Sequence, residues 1–534
     1  MKKKIAYYIF IAAFFIVCLV PSAGMLLKGE SQPAANEILA QRPELILEDG
    51  TFNSEITADL TSYFADRFAF RQEMITGYAA IQAALFQESS AEDVILGEDG
   101  WLFYKDTSDD FLHRSTLSDR SIQGIVRTLT LMQDYASEQG TSFLFTVAPN
   151  KNSLTPASEK MPDIGKVRKE EKNLQKLERA MKAQNICYAD LTQVLSSGTD
   201  GESYYHRLDS HWNNMGAAVA AEELAEHLGV DIWPWTEGPY RRVKNHKGDL
   251  YEMLYPAGKK TDENIEFDRK FSFRYLINDQ TVPAPPSTED IFDSEGKSSA
   301  GRAAGPADDS LTKDAVQDGA FDYYSDSRPE PDRIKIETIN SGSDEGNLLM
   351  FRDSFGNALY PFLADTFSYC AFSRLVPYRM DWLSEGDFDY VVVEIVERNL
   401  KNLAVKAPVM PAPPISYNDD MKSENGVSES AVRIAGTGET DVQADVSISA
   451  ELPGYALISG TYDAENIDEN TRIFIETEGM LYEACPVGSA LEERQTDACF
   501  TAYLPEDILK GRDFSVILCR DGKFYRNSCE TIWE

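Results

Sequence analysis

The sequence predicts an α/β protein: a three-layer domain with a mostly parallel sheet, preceded by a membrane segment and followed by an all-β, sandwich-like domain. Three observations carry that prediction. Short apolar runs of strand type, such as "NLLMF" (347–351) and "YVVVEIV" (390–396), alternate with longer stretches of helical periodicity. An uncharged apolar run opens the chain behind a cluster of lysines. Residues 421–534 alternate apolar and polar side chains between turn residues, with no convincing helix.

Length and charge narrow the classes. At 534 residues the chain is too long for one compact domain, and its 43 % hydrophobic and 11 % aromatic content supplies real cores. Lys+Arg 51 against Asp+Glu 88 leaves a formal charge of −37. Such a surface repels nucleic acid and anionic headgroups, so no nucleic-acid partner is expected.

Residues 1–27 begin "MKKK" and continue "IAYYIFIAAFFIVCLVPSAGMLL". Read through Leu27, the run is long enough to span a bilayer, and the lysines keep its N-terminal side in the cytoplasm. A single-pass anchor is expected; a cleaved signal peptide, with "PSAG" offering small residues, is the competing reading. Either way the bulk of the chain is extracytoplasmic. Cys18 lies in this segment, Cys187 and Cys370 stand apart, and Cys485, Cys499, Cys519 and Cys529 cluster late, open to three pairings or to none.

Residues 28–92 read as a polar tether followed by amphipathic helices packed on something larger, from apolar spacings of three and four in "SEITADLTSYFADRFAFRQEMITGYAAIQAALF". Residues 93–406 form the central domain. "VILGEDGWLFY" predicts a hairpin at its start, "SIQGIVRTLTLMQDYASEQG" a helix, and "SFLFTVAPN" (142–150) a buried strand. A charged helix over 166–184 and a short strand in "ICYADL" follow. "MGAAVAAEELAEHLG" is a strong helix with Gly229 as its stop. Residues 283–332, rich in Pro, Gly, Ser and Asp, read as a loosely held acidic insertion. Residues 407–420, "APVMPAPPISYNDD", read as a proline-rich linker. Tyr455, Tyr462 and Tyr482 beyond it suit either sugar stacking or core packing.

Two stretches carry chemistry. In "FRDSF" (351–355), Ser354 stands between a strand-like run and a helical pattern, at the C-terminal edge of a parallel sheet where ligands bind in open α/β folds. Its own N–H lies near a helix N-terminus and can hold an oxyanion. A serine hydroxyl is a weak nucleophile and needs a base within reach. "YYHRLDSHWNNMGA" (204–217) offers His211, with Asp209 two residues earlier to orient it and Asn213 or Asn214 to cap the following helix. Asp, His, Ser is a permissible order, because triads are defined by geometry. The competing uses are an N-cap for Asp353-Ser354 and a zinc site from His206, Asp209 and His211. No CxxC pair or nucleotide motif appears, so neither a metal nor a cofactor is expected.

Together "DSHWN", "LLMFRDSFGNALYPFLA", "GEDGWLFY" and "VAPNK" resemble the DHHW family and the related AlgJ/AlgX-like polysaccharide O-acetyltransferases over roughly residues 40–405. The resemblance implies an SGNH-hydrolase-like fold and a triad of Asp209, His211 and Ser354. It also implies a polysaccharide acceptor, with acetyl passed across the membrane by a membrane-bound O-acyltransferase. Two departures stand out: Ser210 replaces a histidine of the family motif, and Arg352 stands where glycine usually precedes Asp-Ser. Asn150 is therefore a candidate oxyanion donor, and Arg352 a candidate for holding acetyl or a substrate anion, or for pairing with Asp353. Acetylesterase activity from the same triad and a non-catalytic polysaccharide-binding scaffold remain as alternatives.

Overall fold

The computed structural model describes residues 2–27, 29–30, 39–46, 50–114, 116–162, 164–168, 171–196, 203–277, 280–283, 335–415, 434–437, 442–463, 470–488, 497–520, 522–527 and 529–533. The stretch 283–332, read above as an insertion, lies outside them apart from Pro283.

Helix α1 (Lys2–Leu27) carries no charge after Lys4. Among the described residues no helix is long and apolar enough to cross a membrane. Helices α2 (Ile56–Arg67) and α3 (Arg71–Phe86) have the expected periodicity but not the expected packing: α2 buries no residue and α3 only Ala79. Their large apolar side chains face away from the body of the protein.

Strands β1 (Val94–Leu96) and β2 (Leu102–Tyr104) pair as an antiparallel hairpin. After α4 (Ser108–Phe111) comes α5 (Asp119–Glu138), whose first turn is capped by the Ser118 side chain accepting from the Ser121 N–H. Then follow β3 (Ser142–Ala148), α6 (Asn173–Ala183), β4 (Tyr188–Ala189) and α7 (Leu191–Ser196). Within the charged stretch 166–184 the α-helix is α6, which begins after the extended Lys172. Helix α8 (Asn214–Leu228) is capped by Asn213, which accepts from the N–H groups of Met215 and Gly216. It ends at Gly229, whose φ of 70° favours glycine.

A β5 (Tyr240–His246), α9 (Asp249–Leu254), β6 (Asp262–Phe267) unit, absent from the sequence reading, is followed by β7 (Arg274–Ile277), β8 (Gln280–Pro283) and β9 (Lys335–Ile339). The domain closes with β10 (Asn347–Phe351), α10 (Gly356–Thr366), β11 (Tyr369–Ser373), α11 (Trp382–Glu385), β12 (Tyr390–Val396) and α12 (Leu400–Val405).

The eight-stranded sheet runs β4-β3-β12-β10-β11-β9-β7-β8. Its first five strands are parallel, with Leu348 opposite Cys370 on one side and Tyr390 on the other. Strands β9, β7 and β8 extend it antiparallel. Both faces are covered, which is why β10 and β12 read as mostly apolar runs, broken in β12 only by Glu394. Leu348 and Met350 join the core beneath α8 and α10, whereas Leu349 and Phe351 join the one beneath α5 and α6.

The proline-rich stretch is held tightly where it is described. Val409 and Met410 are buried, and Val409 exchanges backbone hydrogen bonds with Tyr378 and Asp381. Beyond it lie β13 (Pro414–Ile415), β14 (Ile434–Thr437), β15 (Val442–Ile448), β16 (Tyr455–Asp463), β17 (Arg472–Thr477), β18 (Met480–Glu483), β19 (Cys485–Val487), β20 (Asp497–Pro505), α13 (Glu506–Leu509), β21 (Ser515–Arg520), β22 (Lys523–Asn527) and β23 (Cys529–Trp533). They form two mostly antiparallel sheets of six and five strands sharing one apolar core. Tyr462 belongs to that core, with its hydroxyl accepting from Arg120 of α5, so stacking on sugar is not its use. Glu483, 1 % exposed, is held by Arg127 of α5 and by Arg472. Burial alone would raise its pKa, but the two guanidinium groups bring it below the usual value. Cys187, Cys370, Cys485, Cys499 and Cys519 are free thiols.

Candidate active site

The site stands at the C-terminal edge of the parallel sheet, where β10 ends and α10 begins. Asp353 shapes this turn: its carboxylate accepts from the N–H of Phe355 (2.9 Å) and, across to the end of β12, from that of Val396 (2.8 Å). Its own N–H donates to Glu394 (3.0 Å). Ser354 is thereby raised between two pinned neighbours, partly exposed.

The loop after Tyr204 brings the base. His211 Nε2 lies 2.9 Å from Ser354 Oγ, and its Nδ1 lies 2.8 Å from Asp209 Oδ1. Asp209 Oδ1 also accepts the His211 N–H at 2.9 Å, which bends the D-x-H segment so that both side chains point one way. Trp212 joins the two motifs by donating from its indole Nε1 to the Phe355 carbonyl at 3.0 Å. Ser354, His211 and Asp209 are thus brought together across 143 sequence positions.

The electrostatics suit proton exchange. Burial would lower the His211 pKa, but the hydrogen bond and charge of Asp209 outweigh it and raise the ring above its ordinary value. Asp209, where burial opposes ionisation, is nonetheless held well below the carboxylate range by hydrogen bonds from His211 and His246. Asp209 is therefore the charged orienter and His211 the group able to take a proton.

Several supporting residues escaped the sequence reading. His246, at the end of β5, places Nε2 2.9 Å from Asp209 Oδ2 and stacks on His206 with ring centroids 3.9 Å apart. Asp249 gives its N–H to the same oxygen at 3.0 Å, and its side chain accepts from the Ser210 N–H and hydroxyl. Gly248 makes that approach possible: a Cβ there would lie 2.2 Å from the Leu208 carbonyl oxygen. Lys151, 4 % exposed, donates to the carbonyls of His206 (3.2 Å), Arg207 (3.4 Å) and Asp209. Burial lowers its pKa to about 8 against the pull of nearby aspartates. The scarcity of histidine, five in the chain, was the one signal that could have singled out His246.

The other candidates have different surroundings. His206 turns Nδ1 to the Glu263 carbonyl (3.0 Å) rather than joining Asp209 and His211 around a cation. Asp209, His211 and Asp249 do place ligand atoms within 4.8 Å of one another, a spacing that would also admit a metal ion. Asn150 follows β3, which β12 separates from β10. Its N–H donates to Glu397 (2.8 Å) and its side-chain amide donates to Asp110 (3.5 Å). Arg352, 2 % exposed, donates to the Asn357 side chain (2.5 Å) and the Asp353 carbonyl (3.2 Å). The Asp353 carboxylate takes the backbone N–H groups of Phe355 and Val396.

Parts of the chain are similar to known proteins. The family described as SGNH hydrolase-like domain, acetyltransferase AlgX, matches residues 94–270. That span holds Asp209 and His211 and stops short of Ser354. The probable alginate O-acetylase AlgJ of Pseudomonas fluorescens is 25 % identical over 209 residues, 38 % of this chain and 51 % of its own length. That of Pseudomonas aeruginosa is 24 % identical over 214 residues, 38 % of this chain and 51 % of its own. The chain spans about half the length of the curated relatives it matches. Among solved structures, Bacillus cereus PatB1 is similar at 18 % identity, covering 57 % of this chain and 96 % of that one with a TM-score of 0.40. A DHHW family protein from Eubacterium siraeum is similar at 13 % identity, covering 52 % and 88 % with a TM-score of 0.35. Residues 94–270 are therefore similar to the SGNH hydrolase-like domain of the acetyltransferase AlgX, and the chain is distantly similar to the AlgJ proteins.

Proposed function

We propose that the protein is an O-acetyltransferase that moves acetyl through a serine ester to hydroxyls of a cell-surface or secreted polysaccharide. The observation that carries this reading is the unbroken relay from Ser354 Oγ through His211 to Asp209. His211 Nε2 takes the hydroxyl proton as Ser354 Oγ bonds to the acetyl carbonyl carbon of an ester donor. The donor's C–O bond breaks, and the proton passes from His211 to the leaving oxygen. In the second half, His211 takes a proton from a sugar hydroxyl while that oxygen attacks the acetyl carbon. Ser354 leaves and recovers its proton. Asp209 keeps the imidazole in the tautomer that presents Nε2 to the serine.

The Ser354 N–H, at the entrance to α10, is our choice of oxyanion donor, since it donates to no described residue. Asn150 and Arg352 are the further candidates in this reading, Asn150 as a second oxyanion donor and Arg352 for holding the acetyl group or a substrate anion. A polysaccharide acceptor follows from the alginate acetylation named for the AlgJ relatives. Acetyl would reach the site from a membrane-bound O-acyltransferase. Residues 1–27 would anchor the chain, with 93–406 as the extracytoplasmic catalytic unit and 421–534 as a β-sandwich.

The test uses the full-length chain with isotope-labelled p-nitrophenyl acetate and polysaccharide fragments, read by mass spectrometry. Acetylated fragments should accumulate, and Ser354→Ala should reduce both p-nitrophenol release and transfer to background. Wild-type turnover by Ser354→Ala would dismiss the nucleophile. Fast hydrolysis with no acetylated fragment would make the protein an esterase.

A further inference from the structure

Helix α3 is inside out for a helix on the surface of a protein in water. Met74, Tyr78, Ile81 and Leu85, spaced four, three and four apart, form one stripe, and they are 42, 57, 57 and 72 % exposed. Phe86 beside them is 62 % exposed. The opposite side is the one that docks: Ala79 is fully buried, and Thr76 accepts the Ala257 N–H at 2.9 Å. Exposed apolar bulk is concentrated here. Ten large apolar side chains between Leu45 and Phe86 are exposed, against four among the described residues beyond: Trp233, Tyr240, Val376 and Ile448.

Connectivity identifies what covers the stripe. The last turns of α1 sit on the α2–α3 junction, where a Cβ on Gly24 would lie 2.7 Å from Ala69 Cβ and 2.8 Å from the Phe70 ring. Arg67 of α2 holds the segment that leaves α1, donating to the Ala40 carbonyl (2.8 Å) and pairing with Glu30. Helix α3 therefore begins where the uncharged α1 ends. From Met74 through Gln87 it carries no charged residue.

We propose that the α2–α3 hairpin lies in the bilayer interface, with the Met74–Tyr78–Ile81–Leu85 stripe and Phe86 among the upper acyl chains. This rests on the reading of α1 as a membrane anchor. Charge does not drive the insertion, because the chain is strongly acidic overall; apolar burial does. The hairpin also sets the height of the active site. Behind α3, Ala79 packs in one cluster with Leu208 and Leu250, the residues next to Asp209 and Asp249. The orienting carboxylate is thus tied through this cluster to the helix that meets the lipid. A donor handed over at the membrane surface would meet the serine without leaving it.

The test places an environment-sensitive fluorescent amino acid, one position per full-length chain, in place of Leu85, Phe15 or Ile448. Each chain is reconstituted in phosphatidylcholine vesicles containing lipid spin-labelled high on the acyl chain. The expected result is a blue shift and a loss of roughly half the emission at position 85, insensitive to salt, with no change at position 448. Quenching at position 15 without quenching at 85 would overturn the hairpin proposal and leave the anchor standing. No quenching at either would overturn both. A blue shift at 85 without quenching would mean that protein covers the stripe, a second copy or another membrane protein, and would also overturn the proposal.

Discussion

His246 binds the oxygen of Asp209 that His211 leaves open, Nε2 to Oδ2 at 2.9 Å, while Nδ1 of His211 takes Oδ1 at 2.8 Å. Two imidazoles from different loops thus fix one carboxylate. His246→Phe keeps a ring against His206 and removes the hydrogen bond. A hydrogen bond to a charged group is worth ~1.5–3 kcal/mol, so kcat/KM for an activated ester should fall on the order of tenfold to a hundredfold. An unchanged rate, with the fold intact by circular dichroism, would show that Asp209 does not depend on His246 for its position.

The raised His211 pKa fixes the direction of the pH profile. Catalysis needs the ring neutral, so kcat/KM should rise with pH through an inflection above the ordinary histidine value of ~6.5. Asp209→Asn removes the hydrogen bond and the charge that raise the ring, while the burial that lowers it remains. The inflection should then move to lower pH, and the plateau should drop by on the order of 10⁴ because the tautomer is no longer held. A profile centred below the free histidine value in the unaltered protein would contradict this arrangement.

Gly248→Ala should damage a site that it does not itself touch chemically. The added Cβ would meet the Leu208 carbonyl at 2.2 Å and the Asp209 N–H nitrogen at 2.8 Å, both backbone atoms that cannot rotate away. Stability should fall by ~1–3 kcal/mol, as for overpacking. Displacing Asp209 by an ångström should cost ~100-fold in kcat. Urea unfolding and ester turnover measured together would check both.

Asp110 sits buried beside Glu397, and burial followed by that second carboxylate raises its pKa to about 8. Folded protein therefore keeps a proton that the unfolded chain releases near pH ~4. Stability from this group is present at low pH and is lost as pH climbs toward 8. Asp110→Asn, a neutral stand-in for the protonated acid, should flatten the fall in Tm across that window and raise Tm at its alkaline end. An identical pH dependence in both proteins would show that Asp110 is ionised when folded.

The parallel strands were the most legible part of the fold. Residues 347–351 and 390–396 appear as strands with the bounds read from their apolar runs, because strands buried on both faces need no polar alternation. The two halves of the site were legible as well, Asp209-Ser210-His211 from an unusual density of functional groups and Ser354 from its place between strand and helix. The supports were not. His246 and Asp249 matter only because the β5–β6 unit folds back over Leu208, and no periodicity encodes that return. Lys151 looked like the end of a strand, and its role depends on three carbonyls more than fifty positions away. In α2 and α3 the period was read correctly, but a period cannot say whether its apolar stripe faces protein or something else.

Glu483 has a mechanical consequence. A module carried on a proline-rich connection would be expected to swing, yet swinging the C-terminal sheets away from α5 would tear Arg127 from a carboxylate that is 1 % exposed. Arg472 alone would then hold the buried carboxylate, and Val409 and Met410 would have to leave their packing as well. These contacts oppose a swing of the C-terminal sheets away from α5. If the polymer proposed above crossed both parts, it would meet them at a spacing set by the protein, like the jaws of a gauge.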